Sequence, residues 1–167
     1  MAKAKATKRK KAAKQPARPR DATALLREDH KLVSGLFEQF ESTRSGAKKQ
    51  QLAAQICNEL TVHATIEEEI FYPAVEAALK DDELVPEARV EHETLKMLIA
   101  QVKDGNPDDP MWEARVKVMS EYVKHHVKEE QNEMFPEAKS AKKLDLVALG
   151  EQLMARKEQL KAELGLA

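Results

Sequence analysis

Four stretches of this chain repeat apolar residues at steps of three and four, and each carries one histidine on the apolar stripe itself. The first runs Leu26, His30, Val33, Phe37 and Phe40. The second runs Ile56, Leu60, His63, Glu67, Ile70, Ala74 and Ala77; the third Val85, Ala88, His92, Leu95, Ile99 and Val102; the fourth Trp112, Val116, Met119, Val123, His126 and Glu130. That periodicity marks helices with one face turned to a core. Turn signals separate them: Ser45-Gly46, then Asp81-Asp82 with Pro86, then Asp104-Gly105-Asn106-Pro107. Short connections between such helices predict an antiparallel four-helix bundle over residues 21–140. A turn after every helix argues against a parallel coiled coil.

Composition agrees with an all-α fold. Aromatic residues make up 4% of the chain and charged residues 34%, and there are only five glycines, a mix that suits helices with charged outer faces. After Lys139-Ser140 a fifth amphipathic stretch shows Leu146, Leu149, Leu153, Leu160 and Leu164. It is expected to pack along the outside of the bundle or to form a partner surface, and residues 141–167 are set apart as a C-terminal helix.

The net charge of -1 conceals a division. Residues 1–20 hold nine Lys or Arg and no acid, which leaves 19 basic against 29 acidic residues in the rest. With Pro16, Pro19 and no apolar periodicity, residues 1–20 read as a disordered basic arm. Such an arm can neutralise nucleic-acid phosphates without sequence preference, or simply solubilise the chain. The single cysteine, Cys57, excludes an intramolecular disulfide and suits the reducing cytoplasm; it is assigned no role. No apolar run approaches the ~20 residues that cross a bilayer, and no apolar segment follows the basic N-terminus as in a secretory signal.

The chain also repeats itself. His63, Glu67, Tyr72 and Pro73, shifted by 63 residues, fall on His126, Glu130, Phe135 and Pro136, and Asp29-His30 is echoed by Glu91-His92. A pseudo-two-fold bundle built from two helical pairs is a natural host for a two-metal centre. His63/Glu67 and His126/Glu130 are i, i+4 pairs, so each presents a nitrogen and a carboxylate to the bundle axis. One histidine on a helix seam is more often a hydrogen-bonded core residue than a ligand. Two copies of His-x3-Glu at equivalent positions, with one further histidine on each remaining helix, point to metal, because burying unpaired carboxylates costs several kcal/mol each. Imidazole with carboxylate suits iron, manganese or zinc. Four imidazoles and two bridging carboxylates give eight donors; two octahedral ions with one shared oxo or hydroxo ligand keep about two positions open for water, O2, peroxide or NO, the mark of a reactive site.

His125 and His126 cannot face the same way, and both the repeat and the seam select His126. His125, paired with Glu129, belongs at the bundle edge. Tyr122 and Glu59, one turn before His126 and His63, are either neighbours of the ligands or ordinary interface residues.

Four pieces carry a family resemblance: Asp-His-Lys at 29–31, His-Ala-Thr-Ile-Glu-Glu-Glu-Ile-Phe-Tyr-Pro at 63–73, Glu-His-Glu at 91–93, and His-His-Val-Lys-Glu-Glu-Gln-Asn-Glu-Met-Phe-Pro at 125–136. Over about residues 22–138 the chain resembles the hemerythrin-like HHE cation-binding domains. The resemblance implies a non-haem di-iron site with His30, His63, Glu67, His92, His126 and Glu130 as ligands and both glutamates bridging. It implies a protein that binds or senses O2, NO or redox state, or handles iron; an enzyme acting on peroxide or NO, or a metal-stabilised scaffold, is the alternative. The oxygen carriers differ in having His-x3-His on the third helix, where His92 here is flanked by Ala88 and Lys96, and His-x4-Asp on the fourth. The lost fifth histidine is expected to make the two metals more alike.

A last expectation is geometric. About 17 residues separate His63 from the end of its helix near Lys80, but only about 9 separate Glu83 from His92; at 1.5 Å per residue the mismatch is roughly 12 Å. Pro73 supplies a reason for the second helix to kink or break near Glu69–Pro73. Pro136 predicts a bend or an end near Asn132–Pro136 in the fourth.

Overall fold

The computed structural model describes residues 20–80 and 83–166. Helix α1 spans Ala22–Ser42, α2 Gly46–Ile66, α3 Tyr72–Leu79, α4 Leu84–Lys103, α5 Pro110–Glu129, α6 Phe135–Ser140 and α7 Leu146–Glu163. The helix starts are chemically marked. Asp21 accepts a hydrogen bond from the Ala24 N–H at 2.9 Å, Ser45 from Lys48 at 3.3 Å, Asp109 from Met111 at 2.9 Å, and Asp145 from Val147 and Ala148 at 3.1 and 3.0 Å. Pro110 follows its cap directly, where a missing N–H is harmless.

Helices α2 and α3 form one continuous rod, as do α5 and α6, and each junction is a π turn: Glu67–Phe71 in the first rod, Glu130–Met134 in the second. The interruptions expected near Pro73 and Pro136 take this form. The Tyr72 N–H bonds the Glu67 carbonyl, and the Phe135 N–H bonds the Glu130 carbonyl, each five residues back. Each proline falls in the first turn of the short helix that follows, where its ring is tolerated.

The π turn corrects the second seam. Past Glu67 the buried residues are Phe71, Tyr72 and Val75, whereas Ile70 and Ala74 are half-buried and Ala77 is exposed. One extra residue in the turn advances the core face by one position. The other three bundle seams lie buried throughout as read, as do Leu149 and Leu153 of the fifth stretch; Leu164 is exposed.

Two apolar clusters form the core. One gathers Phe37, Phe40, Leu52, Ile56, Ile99, Trp112, Val116 and Met119 near the α1–α2 and α4–α5 turns. The other gathers Leu26, Ile66, Phe71, Tyr72, Val75, Val85, Met134 and Phe135 with Leu149 and Leu153 of α7. Between them lies a polar layer. His30 stands between Leu26 and Val33, His63 between Leu60 and Ile66, and His92 between Ala88 and Leu95, each flanked by one cluster on either side. Helix α7 packs against α1, α2 and the first π turn and clips onto their polar face: Lys157 pairs with Asp29 of α1, Lys161 with Glu59 of α2 at 3.0 Å, and Arg156 with Glu69 of the π turn at 2.6 Å. Glu59 is thereby bound to α7. Residues 1–19 of the basic arm and the Asp81-Asp82 boundary lie outside the described residues. No helix among the described residues is long and apolar enough to cross a membrane.

Candidate metal centre

All six sequence-selected residues meet in the polar layer, and all are buried. They form two seats. His30 and His63 with Glu67 and Glu130 make one; His92 and His126 with Glu67 make the other, the donor atoms within each lying within 4.8 Å of one another. Each seat takes its histidines from one half of the repeat, α1–α2 or α4–α5, and Glu67 spans both. Its Oε1 is 3.0 Å from His63 Nε2 and its Oε2 is 3.4 Å from His92 Nε2. Glu130 Oε2 is 3.1 Å from His30 Nε2 and 3.8 Å from His126 Nε2.

The contacts have the wrong chemistry for a core held by hydrogen bonds. His63, His92 and His126 turn Nδ1 to a carboxylate: Asp29 Oδ2 at 3.3 Å, Glu68 Oε1 at 3.0 Å and Glu91 Oε2 at 2.5 Å. An Nδ1–H that donates there leaves Nε2 of the neutral ring with a lone pair. Yet Nε2 of His30 and His63 lie 3.1 Å apart, and Nε2 of His92 and His126 lie 3.2 Å apart. Glu67 Oε1 and Glu130 Oε2 accept no hydrogen bond although both are buried. Lone pairs facing lone pairs repel. Two ligands at right angles, each about 2.1 Å from one ion, stand about 3.0 Å apart, so a cation in each seat turns these repulsions into bonds. The residues fit a pair of metal ions.

Without metal, protons take the cation's place. Burial pulls the His63 imidazolium down, but the charge of the facing Glu67 carboxylate and the contact with Asp29 overcome it and push the ring up to about 10. Burial likewise opposes the charged form of His126, and Glu91 with Glu130 pushes it up to about 8. Burial favours a neutral Glu67, but His63 and His92 hold its carboxyl well below the usual range.

Sequence reasoning missed Tyr72. Its hydroxyl donates toward Glu130 Oε1 at 3.2 Å and Glu67 Oε2 at 3.3 Å, and lies 3.2 Å from His92 Nε2. Burial and the facing carboxylates hold that hydroxyl protonated, its pKa well above 10.0. In a regular α-helix Tyr72 would project about 140° away from Glu67, five residues at ~100° each; the π turn swings it over Glu67. The repeat held a signal: the tyrosine of one half stands where the other has Phe135, whose ring stacks on His30 at 5.8 Å. The two seats each hold two histidines but differ in the ring that faces them, a phenyl at one and a phenol at the other.

His125 is 61% exposed and bonded to Glu129 at 3.0 Å, at the edge as read. Tyr122 is half-buried. Cys57 is buried, its thiol pushed up to about 11 by burial despite the opposing charge of Lys103.

Against known proteins, residues 21–138 match the family model described as the hemerythrin HHE cation binding domain. A DNA nickase from Nostoc sp. is 32% identical over 111 residues, which cover 66% of this chain and 31% of the nickase. The chain thus spans about a third of that relative. The crystal structure of a hemerythrin HHE cation binding domain-containing protein from Mycobacterium kansasii superposes with a TM-score of 0.72 at 27% identity, over 86% of this chain and 88% of that one.

Proposed function

The chain belongs to the hemerythrin HHE cation-binding family, and from that premise we propose that it holds two non-haem iron ions and binds or senses a small diatomic ligand, O2 or NO. His30 and His63 would hold one ion and His92 and His126 the other, with Glu67 and Glu130 bridging. Iron suits this mixed imidazole and carboxylate set, with manganese or zinc as the competitors. Iron held this way supplies reversible binding and reduction of small oxygen or nitrogen species.

One observation carries the choice of ligand. Beside the four ligand histidines and Asp29 lies a narrow void of about 10 Å³ walled by Val33, Leu60, Leu95, Val123 and Val127. That is about the space of a single water, with an apolar wall that offers water few partners. It admits a molecule of one or two heavy atoms and excludes organic substrates. The chain's own residues keep this chamber dry and hold the imidazoles in one tautomer through Asp29, Glu68 and Glu91.

Turnover of peroxide or NO is the second reading, favoured by the Tyr72 hydroxyl, a proton donor placed against both bridging carboxylates. The single buried cysteine suits the cytoplasm. The match takes in only 31% of the DNA nickase, too little to lend this chain its reaction; contact with nucleic acid would come from the nine cations of residues 1–20 and would weaken steeply with salt.

The test is metal analysis of protein purified without oxygen, followed by its absorption spectrum before and after O2 or NO. About two iron ions per chain and a band that appears with the gas and vanishes with reductant are expected. One metal ion per chain at full occupancy, or a spectrum indifferent to both gases and to peroxide, would overturn the reading. Peroxide consumed far beyond stoichiometry would replace sensing with catalysis.

A further inference from the structure

The four ligand histidines differ in one respect that metal binding does not explain. Three of them turn Nδ1 to a carboxylate, whereas Nδ1 of His30, equally buried, has no partner. With Nε2 of His30 turned in among the donors, its proton resides on Nδ1, and a buried N–H with nothing to bond is costly to keep. His30 also forms part of the wall of a second cavity, an open cleft of about 340 Å³ between α1 and α5.

That cleft is lined by three cations, Arg27, Lys124 and Lys128, with Ser34 and Gln131, and by no acid. This is unusual on a body whose residues from 21 onward hold more acids than bases. The cations are not neutralised. Arg27 bonds the side-chain and main-chain oxygens of Gln131 at 2.5 and 3.2 Å, not a carboxylate. Among the described residues, neither Lys124 nor Lys128 forms an ion pair. The cleft that reaches the other seat has the opposite character. Glu87, Glu91, Glu129 and Glu133 line it on the way to His126 and Glu130. Approach to the two seats is thus divided by charge.

We infer that the α1–α5 cleft is a binding site for a small oxyanion, a phosphate or a carboxylate, which accepts from His30 Nδ1–H and is neutralised by Arg27, Lys124 and Lys128. The anion gives His30 the partner that Asp29, Glu68 and Glu91 give the other three rings. Its binding is therefore felt at the first metal seat, since a charge on Nδ1–H makes the ring a stronger donor through Nε2. The cleft, of about 340 Å³, is distinct from the narrow void of about 10 Å³ beside the four histidines, though His30, Val123 and Val127 wall both, so the anion is an effector of the centre and not its diatomic ligand. The inference rests on the metal reading in one respect, that His30 Nε2 is committed to an ion.

The experiment uses the full chain with its metal content measured first. Inorganic phosphate and acetate are titrated separately by calorimetry while the visible spectrum of the centre is followed. Saturable binding of one anion per chain, with a shift of the metal absorption that saturates in step, is expected. Phosphate alone would assign a phosphorylated ligand, and acetate alone a carboxylic acid. In Lys124→Gln/Lys128→Gln, which touches no ligand, affinity should fall about tenfold or more with metal content unchanged. A metal-filled chain that binds neither anion, or a double variant that binds as tightly as the native chain, overturns the inference and leaves the metal reading standing. A chain that takes up no metal overturns both.

Discussion

The two halves of the repeat supply the same donors to the same layer, yet their surroundings have diverged. In the first half, Asp29 orients His63 and is itself tied to Lys157 of α7. In the second, Glu91 orients His126, and among the described residues its other ion-pair partner is the exposed His125 at 3.7 Å. The rings have crossed over. Tyr72 of the first half reaches His92 of the second, and Phe135 of the second stacks on His30 of the first. Duplication fixes where metal can bind, because it fixes His-x3-Glu on a helix. Divergence one layer out would decide how each ion of the proposed pair behaves, because partners on Nδ1 and groups beside the open positions set basicity and access.

The largest effects should come from residues the halves share. Glu67 serves both seats, so Glu67→Ala should drop bound metal from about two ions per chain to nearly none, read by elemental analysis. His126 serves one, so His126→Ala should lose one ion and destabilise the chain by roughly 3 kcal/mol through the uncompensated buried carboxylates it leaves. Its exposed neighbour is the control: His125→Ala should keep both ions. Loss of both ions from His126→Ala together with loss of one from His125→Ala would break the division into two seats.

How much of this was readable beforehand follows from periodicity. Every donor lies upstream of, or at the start of, a π turn, where the seam still counts in regular helical steps, and all six were picked out by spacing. Tyr72 lies just past the turn. Regular counting there selects Ile70 and Ala74 and points Tyr72 elsewhere, so a residue touching both bridging carboxylates went unnoticed. A π turn has no residue signature of its own; Pro73 marked that the helix must yield but not how. The α1–α5 cleft was equally hidden, because Arg27, Lys124 and Lys128 read in sequence as ordinary solvated charges.

Acidity offers a second comparison, made on protein stripped of metal. His63 and His126 are raised from 6.5 to about 10 and about 8. Each therefore adds stability that is complete below pH 6.5 and fades as pH rises through its folded value. Asp29, Glu67 and Glu91 are depressed, from ordinary values of 3.8, 4.5 and 4.5, by the imidazoles and, at Asp29, by Lys157, which outweigh burial. Their contribution is present above those values and lost as pH falls. Urea unfolding of the stripped chain should show greatest stability between about pH 4.5 and 6.5. It should decline on the alkaline side in two stages, His126 before His63. A stripped chain whose stability rises from pH 6.5 to 10 would contradict the protonated centre.

The smallest effect tests the difference between the seats most directly. Tyr72 is fully buried, and its hydroxyl is the main chemical asymmetry inside the donor layer. Tyr72→Phe keeps the ring, its packing against Phe71 at 6.2 Å and its tilt on His92 at 5.3 Å, so the fold should survive with a cost of about 1 kcal/mol for the lost hydrogen bonds. Both ions should remain, because the six ligands are untouched. What should change is their likeness. Mössbauer spectra of the iron-loaded native chain should resolve two unequal iron environments, one beside a phenol and one beside a phenyl ring. In Tyr72→Phe each seat faces a phenyl group, and the two signals should draw together. Phe135→Tyr supplies the converse, a hydroxyl beside His30 and a second way to near-symmetry. Unequal signals that persist unchanged in both variants would place the source of the asymmetry outside the rings. The remaining differences are then the Lys157 tie on Asp29 and the unpartnered Nδ1 of His30, both on the same seat.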